Sequence, residues 1–550
     1  MFGTTFVAES PSVQCEATPF ADYANYGSEH VATTALTQYQ ANLLMTFPQS
    51  YNRIRSAMEN LLLSEGLRAK AIFGGAWLAG GSIAEQAVRF ARNIVLARLL
   101  APGDFGTMAI VLSASSLVET LTEVGVRGAI IQNSRGGEDS YLNASWWLGM
   151  IRAIGTYIFV FALAPWIASF YGRTELTALL RVALLSTIFN GAMSPRSILP
   201  QKEMKFARWT AISNGGGICG VLLTVMLSFI LQDVWALAIG YSAENALRCF
   251  LSYLLCPGFP SLKWDWRAAR EILTFSRGIF GLSFLNIIIG RADVFVLARL
   301  YSSTDLGLYT MGVAIVITPL AFITSLLGQV IFPALSRIQE DTERLNRIST
   351  EITSVLILVG LPAAVSVGLC APSLLKIVYG TRYAAAAGPL TVAAAVVFFT
   401  VVNAPLTLIL LATGRPALHR VAVVVSACAM LFTVYPACRV LGTLGGQVAA
   451  LIAVVAGYIY QVIRLRGLTS LNLVQYGKAF VSPALASAGT LGIVVVSRQC
   501  GLATTPTSDV VICISACLIV YAVSATTIIR TVGLKNTLRS AQTPDSVVSP

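Results

Sequence analysis

Charge is what this chain has least of. Only 12% of its 550 residues are Asp, Glu, Lys or Arg, against 55% hydrophobic. A soluble domain carries roughly 25% charged residues, so a water-facing surface of this size could not be covered. With a mean hydropathy of +0.72, the chain reads as an all-α polytopic membrane protein. Histidine is scarcer still: His30 and His419 are far apart, and none of the ten scattered cysteines has metal-ligand spacing with either. The cysteines read as small core hydrophobes, and no metal or cofactor is expected. GxSxG, P-loop, HExxH and CxxC motifs are missing, as is a DxD on a polar loop. No polar segment after residue 70 is long enough to fold as a soluble catalytic domain, so the residues describe no enzyme. Net charge +12 would suggest nucleic acid in a soluble protein. In a membrane protein it marks orientation by basic cytoplasmic loops, and no nucleic-acid partner is expected.

What is there is a series of apolar stretches long enough to span a bilayer. Fourteen are expected, centred near 82, 118, 155, 187, 219, 245, 285, 318, 358, 398, 428, 453, 486 and 518. The first and seventh are the least apolar. Residues 1–66 are polar, without a signal-peptide pattern, and read as a disordered cytoplasmic extension. A mis-assigned start is the other reading, because Met45 and Met58 lie closer to the first apolar segment. Loops after even-numbered segments hold the larger share of basic residues, among them Arg135, Lys202, Lys205, Arg267, Arg270, Arg337 and Arg344. Arg98, Arg173, Arg299, Lys376, Arg382, Arg439 and Arg498 fall on the opposite side. The bias predicts both termini in the cytoplasm.

The chain also repeats itself. Residues 95–106 read VLARLLAPGDFG and residues 296–307 read VLARLYSSTDLG, identical at seven of twelve positions at an offset of 201. A second echo runs from Ala164, Pro165, Tyr171 and Gly172 to Ala371, Pro372, Tyr379 and Gly380. The offset maps helix 1 onto helix 7, so helices 1–6 and 7–12 are two copies with 13–14 appended. An even number of helices per copy gives both the same topology, related by an axis along the membrane normal. The expected units are 70–257 and 270–465, then two added helices within 475–530 and a cytoplasmic tail 531–550. Two such bundles enclose a central cavity whose access can alternate.

Ionisable groups at membrane depth are costly and mark function by default. Glu85, Arg89 and Arg92 share one face of helix 1 at i, i+4 and i+7. Glu123 and Arg127 follow similar spacing in helix 2, helix 3 adds Arg152, and helix 6 adds Glu244 with Arg248. Taken singly, Glu85–Arg89, Glu123–Arg127 and Glu244–Arg248 read as self-satisfied pairs bridging helices. Together they read as a cationic lumen that attracts an anion, with arginine forks suited to phosphate oxygens. Moving the helix-1 face forward by 201 gives Asn286, Gly290 and Asp293, which places Asp293 in the lumen opposite Arg92. Arg291, about 160° from it around a helix, is then expected to point away.

The stretches LARLLAPGDFG (96–106), EVGVRGAIIQ (123–132), APWIASFYG (164–172), LPQKEMKFAR (199–208) and QVIFPALSRIQEDTERL (329–345) resemble the Wzx-type polysaccharide flippases. Those belong to the multidrug/oligosaccharidyl-lipid/polysaccharide superfamily, and the likeness runs over residues 75–470. It implies transfer of undecaprenyl-diphosphate-linked oligosaccharides across a bacterial inner membrane, for exopolysaccharide, capsule or lipopolysaccharide. It also implies membrane lipid and a periplasmic polymerase with its chain-length machinery as neighbours. On that reading Arg89, Arg92, Arg127, Arg152 and Arg248 hold the diphosphate, and Glu85, Glu123 or Asp293 release it by binding H+ or Na+ or by competing for arginine. Two alternatives stand beside it. A drug or metabolite antiporter of the same superfamily should show a more acidic cation site. A membrane glycosyl polymerase or ligase should show a large periplasmic loop.

Overall fold

The computed structural model describes residues 67–531, apart from short gaps at 124, 204, 262–263, 278–279, 337–341 and 470–472. The expected extension 1–66, the tail after 531, Lys263 and Arg337 lie outside the described residues. Fourteen long helices run through them. In the first copy these are α1 (Leu67–Leu99), α2 (Pro102–Thr122), α3 (Asp139–Tyr171), α4 (Glu175–Ala192), α5 (Phe206–Leu231) and α6 (Val234–Leu255). The second copy holds α7 (Phe280–Leu300), α8 (Ser303–Ser336), α9 (Thr342–Val378), α10 (Ala387–Ala412), α11 (Pro416–Leu441) and α12 (Leu444–Thr469). Then come α13 (Leu473–Gln499) and α14 (Pro506–Thr531). Every expected centre falls inside its helix, because long apolar runs leave the backbone no partner in lipid but itself.

Of the two weak spans expected, the first is weak and the seventh is not. Among the described residues α1 lacks a stretch apolar enough to qualify as a span by composition, but α7 has one, Gly281–Leu300. The sixth helix also falls short, because Glu244, Asn245 and Arg248 interrupt it, and the fourteenth is apolar only over the shorter stretch Pro506–Val520 among the described residues.

The helices form two six-helix bundles with α13 and α14 packed against α9. Within the first, α5 lies on α6 and α3 on α4; within the second, α11 lies on α12 and α9 on α10. Across the two, α2 packs against α8 and α7. One apolar core runs through this junction, from Leu96, Phe105, Ile110 and Val111 to Leu297, Leu306 and Tyr309. At the opposite end the cores separate. Ala129, Ile130, Tyr141 and Ile272 form one, while Phe398, Leu406, Ile409, Tyr458 and Tyr476 form another. Among the described residues the bundles therefore share a core at the α1–α2 end and have separate cores at the α2–α3 end.

An amphipathic helix, Trp266–Arg277, links them. Ala268, Ala269 and Ile272 are buried against the first bundle, and Glu271 accepts from Asn133 at 2.9 Å and pairs with Arg135 at 3.3 Å.

Candidate functional site

Four charges from α1 and α6 meet inside the first bundle. Arg89 pairs with Glu85 at 2.8 Å and with Glu244. Arg248 reaches the same two carboxylates, Glu85 at 3.0 Å and Glu244 at 2.9 Å. Each acid thus serves both guanidiniums, and the ring is neutral. Buried ions are tolerated only when so paired, and the two pairs expected to be independent are one unit. Helix α5 makes room for it. A Cβ on Gly217 would meet Arg248 and Glu85, and one on Gly220 would lie 2.6 Å from the Cα of Glu244.

One turn along α1, Arg92 has no such partner. Among the described residues its guanidinium donates only to the adjacent Asn93, at 3.1 and 3.3 Å. It lines a cavity of about 510 Å3 together with Arg89, Glu119, Glu244, Arg248 and, from the second bundle, Arg291. Arg291 is exposed to it and makes no hydrogen bond or ion pair among the described residues.

This reverses the expectation for α7. Asp293 is only 8% exposed and accepts from the Tyr309 hydroxyl, which in turn accepts from the Gln447 amide at 2.7 Å. A carboxylate can be buried where a hydroxyl and an amide wait for it, and that site lies behind α7, between α8 and α12. The helix turns accordingly, so that Arg291 and not Asp293 faces the cavity.

The remaining expected residues lie outside the cavity lining. Glu123 and Arg127 form no ion pair among the described residues, because α2 ends at Thr122, Glu123 turns into extended backbone, and Gly125, at φ 57°, opens a new helix before Arg127. Arg127 lies in the first turn of the separate short helix Val126–Gln132 and donates to Gln201 at 2.9 Å, with its guanidinium 4.7 Å from the Trp209 ring centre. Arg152 donates to Thr122 at 3.2 Å. Three lining residues escaped the sequence reading as site residues: Arg291, Glu244 and Glu119. Glu244 was visible as half of a pair; Glu119 carries no signal beyond its depth.

Repeated bundles around a charged cavity define a multi-pass membrane protein with a two-bundle transporter fold. The chain belongs to the polysaccharide biosynthesis protein family, whose signature matches residues 95–388 and starts at the first residue of the repeated phrase. It is similar to an uncharacterized membrane protein in the cps region of Klebsiella pneumoniae, 25% identical over 320 residues, 58% of this chain and 66% of that protein. It is also similar to the lipopolysaccharide biosynthesis protein WzxC of Escherichia coli strain K12, 24% identical over 321 residues, 58% of this chain and 65% of that one. The match spans just under two thirds of either relative. Among solved structures, the lipid II flippase MurJ in an inward closed conformation aligns with TM-score 0.69 at 13% identity, covering 82% of this chain and 98% of that one. An inward-facing multidrug resistance MATE family transporter of the MOP superfamily aligns with TM-score 0.52 at 15% identity, covering 71% and 99%. At these identities the likeness is one of fold.

Proposed function

We propose that this protein moves a lipid-linked oligosaccharide across the bacterial inner membrane for surface-polysaccharide assembly, carrying its diphosphate through the cavity between the bundles. The observation that carries the reading is the pair of uncommitted arginines. Arg92 on α1 and Arg291 on α7 face one cavity from two bundles without a carboxylate partner. A diphosphate offers oxygens to both at once, with charge-assisted hydrogen bonds roughly twice as strong as neutral ones. A drug cation would meet them as like charges.

The other residues take roles around that pair. Arg89 and Arg248 are half-committed to Glu85 and Glu244, so these carboxylates compete with phosphate for the two guanidiniums. Arg127 and Arg152 sit toward the α2–α3 end, where the bundles have separate cores, and would receive the diphosphate first. Asp293, held by Tyr309, is placed to take up H+ or Na+ without touching the cargo. Both termini lie in the cytoplasm, which makes the α2–α3 end the loading end, and the polyprenyl chain stays in lipid. The bundles correspond to 70–257 and 270–465, and a periplasmic polymerase would receive the product.

The test is polysaccharide export by an Arg92→Ala/Arg291→Ala double variant that inserts stably. Loss of export with cytoplasmic accumulation of lipid-linked repeat units is expected. Wild-type export would sink the reading.

A further inference from the structure

Four of the seven identities between the two phrases have a plain structural task. Leu96 and Leu297, Ala97 and Ala298 are buried in the shared core. Asp104 accepts from the Ala101 amide at 3.0 Å and Asp305 from the Ser302 hydroxyl at 2.6 Å, so each closes the first turn of α2 or α8. Gly106 and Gly307 let those first turns touch at the backbone. A Cβ on Gly106 would run into the Ser303 carbonyl, and one on Gly307 into the Pro102 carbonyl.

The repeated arginines are left over, and they cross. Arg98, from the first bundle, donates to the Ile377 carbonyl at the end of α9 at 3.3 Å. Arg299, from the second, lies 5.7 Å from the Phe170 ring centre at the end of α3. Aligning Tyr171-Gly172 with Tyr379-Gly380 puts Phe170 opposite Val378, next to Ile377. The two arginines therefore reach corresponding helix ends from opposite bundles, one position apart and through different partners, a carbonyl and a ring. A third arginine adds to them: Arg173 donates to the Tyr301 carbonyl at 3.0 Å. None of the three forms an ion pair among the described residues. A permanent clamp would use carboxylates, which hold arginine far more tightly than a carbonyl or a ring does. Carbonyl and ring partners hold, and can also let go.

We propose that Arg98, Arg173 and Arg299 are positioning residues of a reciprocal latch that keeps the α1–α2 end shut while the cavity loads. Opening that end breaks all three contacts together and parts Gly106 from Gly307. The proposal deepens the flippase reading, on which it rests for the cargo but not for the opening.

Gly103 supplies a direct test, because a Cβ built there would lie 3.8 Å from the Cβ of Ser303, about the mean separation in a disulfide. In the full chain with native cysteines replaced, Gly103→Cys/Ser303→Cys should cross-link on mild oxidation and stop export until reduced. A quantitative cross-link with undiminished export, or none under oxidation, would overturn the latch. Accessibility gives a reading that needs no cargo. Met311, which lines the cavity, becomes the probe as Met311→Cys, labelled by an impermeant maleimide from the periplasmic side. Adding Arg98→Gln/Arg299→Gln should raise its labelling rate about five- to tenfold, the shift expected from losing one or two exchangeable contacts. An unchanged rate counts against the latch. Faster labelling in a chain that exports nothing would sustain the latch and sink the flippase reading alone.

Discussion

Arg291 and Asp293 are two residues apart and occupy different worlds. Arg291→Ala should cost export roughly ten- to a hundredfold, the worth of a charge-assisted hydrogen bond. It should leave the melting temperature in detergent nearly unchanged, because nothing packed depends on it. Asp293→Ala should do the reverse first. It leaves the buried Tyr309 hydroxyl without its acceptor while Gln447 still donates to it, a loss of about 1–3 kcal/mol for a buried polar group without a partner, measurable as a lower melting temperature. The charge ring makes a third case. Glu244→Ala leaves two guanidiniums sharing Glu85, and removing one member of a buried pair costs about 3–5 kcal/mol. Glu244→Ala/Arg248→Ala should cost less than the two single changes added together, since it removes a charge of each sign. Helical spacing did reveal that Glu85, Arg89 and Arg92 share a face. It could not reveal which face of α7 looks inward, because that depends on Tyr309 and Gln447, 16 and 154 positions away in the chain.

Elements were legible wherever apolar length decided them, which is why all fourteen helices could be placed. They were illegible where a single backbone conformation did. The extended backbone at Glu123 and the left-handed Gly125 separate Glu123 from Arg127 by breaking the helix between them, and a glycine inside an apolar repeat does not announce whether it packs, bends or marks a helix boundary. Gly220 is the packing kind. Its missing side chain lets α5 lie against the Glu244 backbone of α6, and the ion ring forms only at that approach. Gly220→Val should push α5 away, break the ring and lower the fraction of inserted, monodisperse protein severalfold, with overpacking alone worth about 1–3 kcal/mol. Gly80→Ala, on α1 where a Cβ would meet nothing within 4 Å, should leave that fraction unchanged. Size-exclusion profiles of the two variants separate packing from a general aversion to larger side chains.

At the scale of the molecule the repeat is exact enough to set topology but not to make the bundles equivalent. Helix α2 packs on α7 as well as α8. Arg92 and Asn93 of α1 and Thr310 and Met311 of α8 line the cavity. The linker is equally one-sided. It is fastened to the first bundle by Asn143 donating to Ser261 at 2.7 Å, Trp147 donating to the Ser261 carbonyl at 3.1 Å, and Asn133 donating to Glu271. Rocking of one bundle against the other should therefore carry the segment up to Arg277 with the first bundle, with no change at Asn143–Ser261. Two thiol bridges then have opposite outcomes. Asn143→Cys/Ser261→Cys, joined by a short bifunctional reagent, ties parts that travel together and should leave export near the unbridged rate. The same linkage across Gly103 and Ser303 ties parts that must separate, and should abolish it. If bridging Asn143 and Ser261 stops export as well, the linker moves against the first bundle during the cycle, and the two bundles cannot be the rigid units of the motion.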